Sequence, residues 1–384
     1  MHLLTVQPGA SYSTADVYEG LIRELAMLGH EIRQYNLDVR IARAGSWLNW
    51  NWEASKKQGY EIPPPSPADI IYQASSETVL MALRHMPNWV VVFSGMYFHP
   101  DALIMLKRAG MQIALILTES PYDDSEQMKV IPYADVVFTN DKFSAEMFSQ
   151  YHRRTFYLPH AFDPGKHSLS TEVDDDVPAH DVVFVGTGFK ERIRLLADMN
   201  WEGIDLGLYG TYELMEEMPD ASAKLAPYIC GEVVDNRKAA SLYRKAKIGL
   251  NIHRTSQGFG MDAPSIARAY SLNPRLYELA ANGCFIISDH RPAMDEVFGE
   301  LIPTFSSAQE AEALIRRWLH DEAGRNAVTT QLPHAVSSHT YTARAVQVSR
   351  VLKAEGEAWR DITGAKGLST SPQLDRELPA ASSR

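Results

Sequence analysis

The sequence predicts an α/β fold built as two consecutive, parallel, doubly wound sheets. Strand-like apolar runs alternate with amphipathic helical patterns from the first residue, a rhythm that calls for crossover helices and parallel strands. The rhythm breaks once, after Leu158-Pro159-His160-Ala161-Phe162-Asp163-Pro164, in a Gly, Ser, Asp and Pro stretch running to His180, and then restarts. With 384 residues and 45% hydrophobic content, the chain is too long for one ordinary core and too apolar for a disordered chain.

In the first half, residues 2–6 read as a strand, Pro8-Gly9 as a turn, and residues 14–28 as a helix stopped by Gly29. Further strands are expected at 31–35, 70–73, 89–93, 113–117 and 136–139, with a helix at 100–109. The second half restarts at 181–185 and continues through 206–209, 248–252, 284–288 and a weak strand at 301–305. The expected organisation is a first domain over 1–165, a second over 181–340, a closing helix over 341–360, and a Ser-, Pro- and Gly-rich disordered tail over 364–384.

Composition removes several function classes. Apolar runs such as Trp89-Val90-Val91-Val92-Phe93 are far shorter than the ~20 residues that cross a bilayer. Met1 leads directly into the first strand, which leaves no room for a secretory segment and makes the cytoplasm the expected location. Cys230 and Cys284 are well separated and lack Cys-x-x-Cys spacing, so both are expected as small core residues rather than a disulfide or zinc site. A formal charge of −11 argues against non-specific gripping of long nucleic acid.

The string Asn273-Pro274-Arg275-Leu276-Tyr277-Glu278 reads as a helix start: Asn273 caps, Pro274 suits the first position, and Gly283 ends the helix. Arg275 and Glu278 then share a face. Such a pair is either an ordinary solvated ion pair or, late in a second nucleotide-type sheet, a ligand-facing pair. In the second case the free amides and Arg275 favour a diphosphate, and Glu278 takes ribose hydroxyls.

Residues 273–289, Asn-Pro-Arg-Leu-Tyr-Glu-Leu-Ala-Ala-Asn-Gly-Cys-Phe-Ile-Ile-Ser-Asp, resemble the Arg-x-Phe-Glu-x-x-Ala-x-Gly pattern of the spore maturation protein (CgeB-like) glycosyltransferases. Ser338-His339-Thr340-Tyr341-Thr342-Ala343-Arg344 is similar to the His-Thr-Tyr-x-x-Arg string of that family. Thr118-Glu119-Ser120-Pro121 stands where the family has an Asp-x-Pro-like turn. The resemblance runs from about Trp89 onward. It implies a GT-B fold of two facing Rossmann-like domains, a nucleotide-diphosphate sugar as donor, most naturally a UDP-sugar, and neither metal nor other cofactor. Retaining relatives of family 4 carry a second glutamate eight positions before the ribose-binding one; here that place is Tyr270, so anomeric outcome is left open.

Other donor-side candidates are Gly186, Gly188 and Lys190 in the turn Val185-Gly186-Thr187-Gly188-Phe189-Lys190, which is either a phosphate-approaching loop, with Lys190 or Arg192 supplying charge, or a plain tight turn. Arg254 after the strand at 248–252 is a further phosphate candidate, and the adjacent His253 is either another residue of the same crevice or a satisfied strand-end histidine. Gly210 and the Gly231-Glu232-Val233-Val234 turn occupy places where the implied fold holds a base, and the Gln257 to Asp262 stretch reads as a loop over the sugar.

Catalytic candidates in the first domain are Glu119, Asp16 and His99, with first-turn and helix-entry roles as the alternatives for the last two. Trp47, Trp50 and Trp52, expected in a loop, are either a packing cluster or an aromatic acceptor platform. The acceptor is a glycan, a protein or a hydroxymethylated pyrimidine in DNA. The competing function is a non-catalytic nucleotide-sugar or glycan-binding module on the same fold, with a sugar-nucleotide epimerase as a third reading.

Overall fold

The computed structural model describes residues 1–9, 12–231 and 234–364. The first half runs β1 (His2–Val6), α1 (Tyr12–Met27), β2 (Glu31–Tyr35), α2 (Leu37–Lys57), α3 (Pro67–His85), β3 (Trp89–Phe93), α4 (Pro100–Arg108), β4 (Ile113–Leu117), α5 (Asp124–Val130), β5 (Val136–Thr139), α6 (Lys142–Ser149) and β6 (Thr155–Tyr157). Its six strands lie in the order β2-β1-β3-β4-β5-β6 and every pairing is parallel.

The second half runs β7 (Val182–Val185), α7 (Lys190–Ala197), β8 (Leu206–Tyr209), α8 (Pro219–Leu225), β9 (Ile229–Gly231), α9 (Asn236–Lys245), β10 (Ile248–Asn251), α10 (Pro274–Ala281), β11 (Ile286–Asp289), α11 (Ala293–Val297), β12 (Thr304–Phe305), α12 (Ala308–His320), α13 (Glu322–Thr329), α14 (Leu332–Ala335) and α15 (Tyr341–Gly364). This sheet has the order β12-β11-β10-β7-β8-β9, again all parallel.

Both faces of each sheet are covered, which explains the near-continuous apolar strands. In β3, alternate residues serve opposite faces: Val90 and Val92 pack with Ala102, Leu103 and Leu106 of α4, whereas Trp89, Val91 and Phe93 pack with α1 and the start of α15. Helix α15 thus returns from the second sheet to close the first. Its buried Tyr341, Ala345, Val348 and Leu352 fall at helical spacing on one stripe. The return is possible because residue 20 is glycine: a Cβ there would overlap the Tyr341 ring.

The His339 to Arg344 string is the clasp of this return. Phe162 N donates to His339 O at 3.1 Å and Tyr341 N to Phe162 O at 3.2 Å. Arg344 spans the linker, with Nε on Pro159 O at 2.8 Å and Nη2 on His160 O at 3.2 Å. The His339 ring stacks on Tyr277 of α10 at 5.1 Å.

Three expectations are corrected. Residues 70–73 lie inside α3, not in a strand: Ser66 and Asp69 form a capping box, Pro67 occupies the first turn, and the short apolar run fits either period. The tryptophans at 47, 50 and 52 lie in α2, started by the Asn36 cap on Val39 N, rather than in a loop. Cys230 is exposed, whereas Cys284 is buried as expected. Helix α15 includes Gly364, the first residue of the expected tail, and the rest of that tail, 365–384, lies outside the described residues. Among the described residues no helix is long and apolar enough to cross a membrane.

Candidate functional site

The carboxyl ends of β7, β10 and β11 meet beside the start of α10, the edge at which doubly wound sheets take ligands. Asn273 builds this corner with both ends of its amide: Oδ1 accepts from Leu276 N at 3.1 Å and Nδ2 donates to Asn251 Oδ1 at 2.8 Å. Arg275, the second residue of the helix, lies back across the sheet end. Its Nε donates to Val185 O and its Nη1 to Asn251 Oδ1 at 3.2 Å, with the guanidinium 4.6 Å from the Phe184 ring centre.

Arg275 belongs to a chain of guanidinium groups. Arg192 of α7 shares the Phe184 ring with it at 5.7 Å. Arg192 also shares the Phe189 ring, at 5.1 Å, with Arg254 at 4.6 Å. Arg291 Nη2 donates to the backbone oxygen of Arg254 at 2.9 Å. Arg192 is only 5% exposed and Arg291 9%, and the Nε of each is buried without a hydrogen-bond partner. Burial first, and then Arg275, pull Arg192 down to about 9. Such mutual repulsion in a desolvated place is unfavourable unless an anion completes it.

The amides of the glycine turn serve the sheet edge in this structure. Gly186 N donates to Tyr209 O and Gly188 N to Thr211 O, both at 2.7 Å, so these amides are spent on the sheet edge. A Cβ at Gly186 would overlap the Arg275 guanidinium, and one at Gly188 the Tyr212 ring. The glycines make room for Arg275 and Tyr212. Lys190 is likewise engaged: Nζ donates to Met261 O at 3.0 Å and to Ala263 O. Together with Glu191, which accepts from Thr255 N at 2.7 Å, it anchors the segment after β10, where Ser256 and Ser265 form an antiparallel bridge. Gly210 N donates to Gly231 O at 3.0 Å, while Glu232 and Val233 lie outside the described residues.

His253, expected to be satisfied, is half satisfied. Its Nδ1 lies 2.8 Å from Asp289 Oδ1, which also accepts from His253 N at 2.8 Å. Its Nε2 is buried with no partner. Burial holds the imidazole below its usual range, with Arg291 and Arg192 acting the same way. Asp289, although burial opposes it, is drawn down to about 2 by His253 and Arg291.

Glu278, a turn beyond Arg275, faces the linker, with Oε1 3.9 Å from His167 Nε2. Loss of solvent pushes its carboxyl up to about 7 against the pull of Arg275, and pushes His167 down to about 4. The two therefore meet as weakly charged groups and not as an ion pair. Asp16 comes near from α1, where Lys166 Nζ of the linker pairs with its carboxylate at 2.9 Å.

From the first sheet, the turn after β4 brings Glu119 and Tyr122 over this edge. The turn is pinned by Asn140, which accepts from Ser120 N at 3.0 Å and donates to Ser120 O at 2.8 Å. Glu119 Oε2 lies 3.8 Å from Arg254 Nη1, and Tyr122 packs 4.7 Å from the Arg254 guanidinium. Burial outweighs Arg254 and pushes Glu119 up to about 7. Tyr122, unremarked in the sequence, feels Arg291, Arg192 and Arg254 together.

His99 lies apart from this edge: its Nδ1 caps Asp101 N at 3.2 Å and its ring meets Tyr72 of α3 edge-on at 5.2 Å. The tryptophans are remote too. The start of α2 is held at the cleft end by Asp38 N donating to Gln7 Oε1 at 3.2 Å, which puts Trp47 about 14 Å further along the helix axis at ~1.5 Å per residue. Trp47 and Trp50 are 54% and 67% exposed and line an open hollow of 640 Å³ with Val39, Ala42 and Arg43. Trp52 is more covered, its Nε1 donating to Ile62 O at 3.0 Å. Among the described residues no group of three or more His, Cys, Asp or Glu side chains is placed to hold a metal ion.

Comparison with known proteins agrees with this architecture. Residues 191–350 match the model of the family described as glycosyl transferase-like. The chain is 23% identical over 219 residues to the spore protein CgeB of Bacillus subtilis (strain 168), covering 56% of this chain and 67% of that protein. Among solved structures it resembles α,α-trehalose 6-phosphate synthase from Burkholderia multivorans, with a TM-score of 0.62, 10% identity, and 94% and 99% of the two chains covered. It also resembles a glycosyltransferase involved in avilamycin A biosynthesis, with a TM-score of 0.55, 14% identity, and 93% and 98% covered. A UDP-N-acetylglucosamine 2-epimerase superimposes with a TM-score of 0.53 at 10% identity over 91% and 94% of the chains. The fold is GT-B: two facing Rossmann-like halves closed by the C-terminal helix.

Proposed function

We propose, proceeding from residues 191–350 as a member of the glycosyl transferase-like family on a GT-B fold, that the chain moves a sugar from a nucleoside-diphosphate sugar to a hydroxyl acceptor. One observation carries the reading: Arg192, Arg254, Arg275 and Arg291 are strung along the ligand edge of the second sheet through shared rings and one backbone bond. Two of them have buried, unpartnered Nε atoms. A diphosphate supplies the missing charge and acceptors.

In this reading Arg275 and Arg254 clasp the leaving diphosphate, and Arg192 and Arg291 neutralise charge that builds on it as the anomeric C–O bond breaks. Glu278 receives the ribose hydroxyls, and Asn273 fixes the helix that carries both. Gly186, Gly188 and Lys190 act from behind, giving Arg275 its room and anchoring the 255–266 segment. Glu119 takes the proton of the attacking acceptor hydroxyl; diphosphate entry draws Arg254 from it and leaves the carboxylate to act. UDP is the expected nucleotide, by analogy with the UDP-sugar enzymes that share the fold.

The exposed Trp47 and Trp50 face would hold a distal part of an extended acceptor, since it starts about 14 Å from the cleft end of α2 at ~1.5 Å per residue. The competing reading, donor binding without transfer, draws on Tyr270, whose hydroxyl is tied to Glu296 and lies 3.2 Å from Lys142 Nζ. Incubation with labelled nucleotide sugars and glycan, protein or hydroxymethylated DNA acceptors separates the two. Transfer or donor hydrolysis removes the binding-only reading, and binding with no turnover on any acceptor removes the enzyme.

A further inference from the structure

We infer that Nε2 of His253 accepts a hydrogen bond from a hydroxyl of the transferred sugar, making His253 a determinant of donor-sugar specificity. The inference deepens the transferase reading and rests on it.

The hydrogen bonds of His253 fix its tautomer. Nδ1 sits 2.8 Å from Asp289 Oδ1 and 3.4 Å from Asn251 Nδ2. It cannot serve both, because the carboxylate only accepts and the amide nitrogen only donates. The shorter contact to a charged acceptor decides, and Asn251 Nδ2 already donates to Ser288 Oγ at 2.8 Å. Nδ1 therefore carries the proton, and Nε2 of the neutral ring is an acceptor.

That acceptor is 1% exposed as a residue and has no partner, an arrangement that costs stability unless something fills it. Arg192 and Arg291 are close enough to act on the ring and disfavour a second proton on it. What completes Nε2 must then bring a hydrogen. An ionised diphosphate offers none, so the matching group is a hydroxyl, and the part of the donor next to the diphosphate that carries hydroxyls is the sugar. The position agrees: His253 follows β10 two residues beyond Asn251, on the edge that carries Arg254 and beside Asp289 at the end of β11. The Asp289 bond fixes the ring's tautomer and orientation, as a carboxylate behind a metal-binding histidine does.

The test uses titration calorimetry on the full chain with UDP, dTDP, GDP, ADP and CDP, then with the glucose, galactose and N-acetylglucosamine adducts of whichever diphosphate binds. His253→Phe and His253→Gln are titrated beside the wild type. The inference expects each folded variant to keep its affinity for the free diphosphate within about twofold while losing about tenfold for the sugar-bearing form. The wild type needs no substitution for the second arm: among the 2-, 3-, 4- and 6-deoxy forms of the preferred adduct, one is bound about tenfold more weakly than the parent.

Equal losses for diphosphate and adduct, or no loss for either, overturn the role of His253, as do deoxy forms that all bind like the parent. Failure of every diphosphate to bind the wild type overturns the transferase reading beneath it, which is a different result.

Discussion

Glu119 Oε2 and Arg254 Nη1 stand 3.8 Å apart, joining the end of β4 in one sheet to the end of β10 in the other. The contact lies where an acceptor and a donor would have to meet, and its two halves have different claims on it. Arg254 is fixed from behind by Ser256 O and Gly258 O, each at 2.8 Å. Glu119 has burial against it and is pushed up to about 7, so the pair is weak enough to exchange.

If Glu119 is the base, kcat/KM rises with pH through about 7 and levels above it. The sign follows from a raised carboxyl: the active, ionised form gains population as pH passes the folded value. Glu119→Gln lowers kcat by ~10²–10⁴-fold and removes that acidic limb, with free-diphosphate affinity unchanged or tighter. A flat profile in the wild type contradicts the assignment.

Arg192 tests the cost of the cluster. A guanidinium 5% exposed beside Arg275 is subject to burial and like-charge repulsion that Glu191 and Asp289 offset only in part, so Arg192→Met leaves the melting temperature of the unliganded protein equal or higher. The same variant binds nucleoside diphosphate at least tenfold more weakly. Melting scans with and without ligand check both halves, and a large fall in unliganded stability would mark Arg192 as structural.

Glu278 gives a pH prediction of definite sign. Its folded value, raised to about 7 from an ordinary 4.5, means that the folded state binds more protons than the unfolded state between those limits. Its contribution to stability is therefore lost as pH rises from about 4.5 to about 7. Glu278→Gln should gain stability over the wild type at pH 8 relative to pH 4.5, read as the change in melting-temperature difference. The same variant should lose nucleotide affinity at both pH values.

Two glycines should behave oppositely. Gly20→Ala drives a Cβ into the Tyr341 ring and should cost about 1–3 kcal/mol as α15 shifts off the first sheet. Gly45→Ala, within α2, meets Ile70 only at 3.6 and 3.7 Å and should stabilise by about 0.5–1 kcal/mol. Denaturant unfolding of the two variants provides the comparison.

How far the sequence was readable follows from the range of each signal. Strand Ile113–Leu117 is apolar throughout because both faces are covered, and Asn273-Pro274 announces a helix start through local chemistry alone. Residues 70–73 satisfy a strand as well as a helix because the apolar run Ile70-Ile71-Tyr72 is too short to show a period, and the Ser66 box that decides the matter stands outside the run. The arginine cluster was only partly legible. Arg254 and Arg275 follow recognisable elements, but Arg291 joins them because β11 lies beside β10 with Ser288 opposite Asn251, a register that no local pattern announces. The same register makes Asp289 the partner of His253. For Lys190 the converse holds: its charge is visible in the sequence, and the Met261 and Ala263 carbonyls to which it donates are not.

Binding of a nucleoside diphosphate at the arginine edge of the second sheet is read by a melting scan. At about one hundred times Kd, binding to the folded state adds about 2.7 kcal/mol, so UDP should raise the wild-type melting temperature and leave that of Arg275→Ala unmoved. No rise with UDP, dTDP, GDP, ADP or CDP, or an equal rise in the folded Arg275→Ala variant, would contradict it.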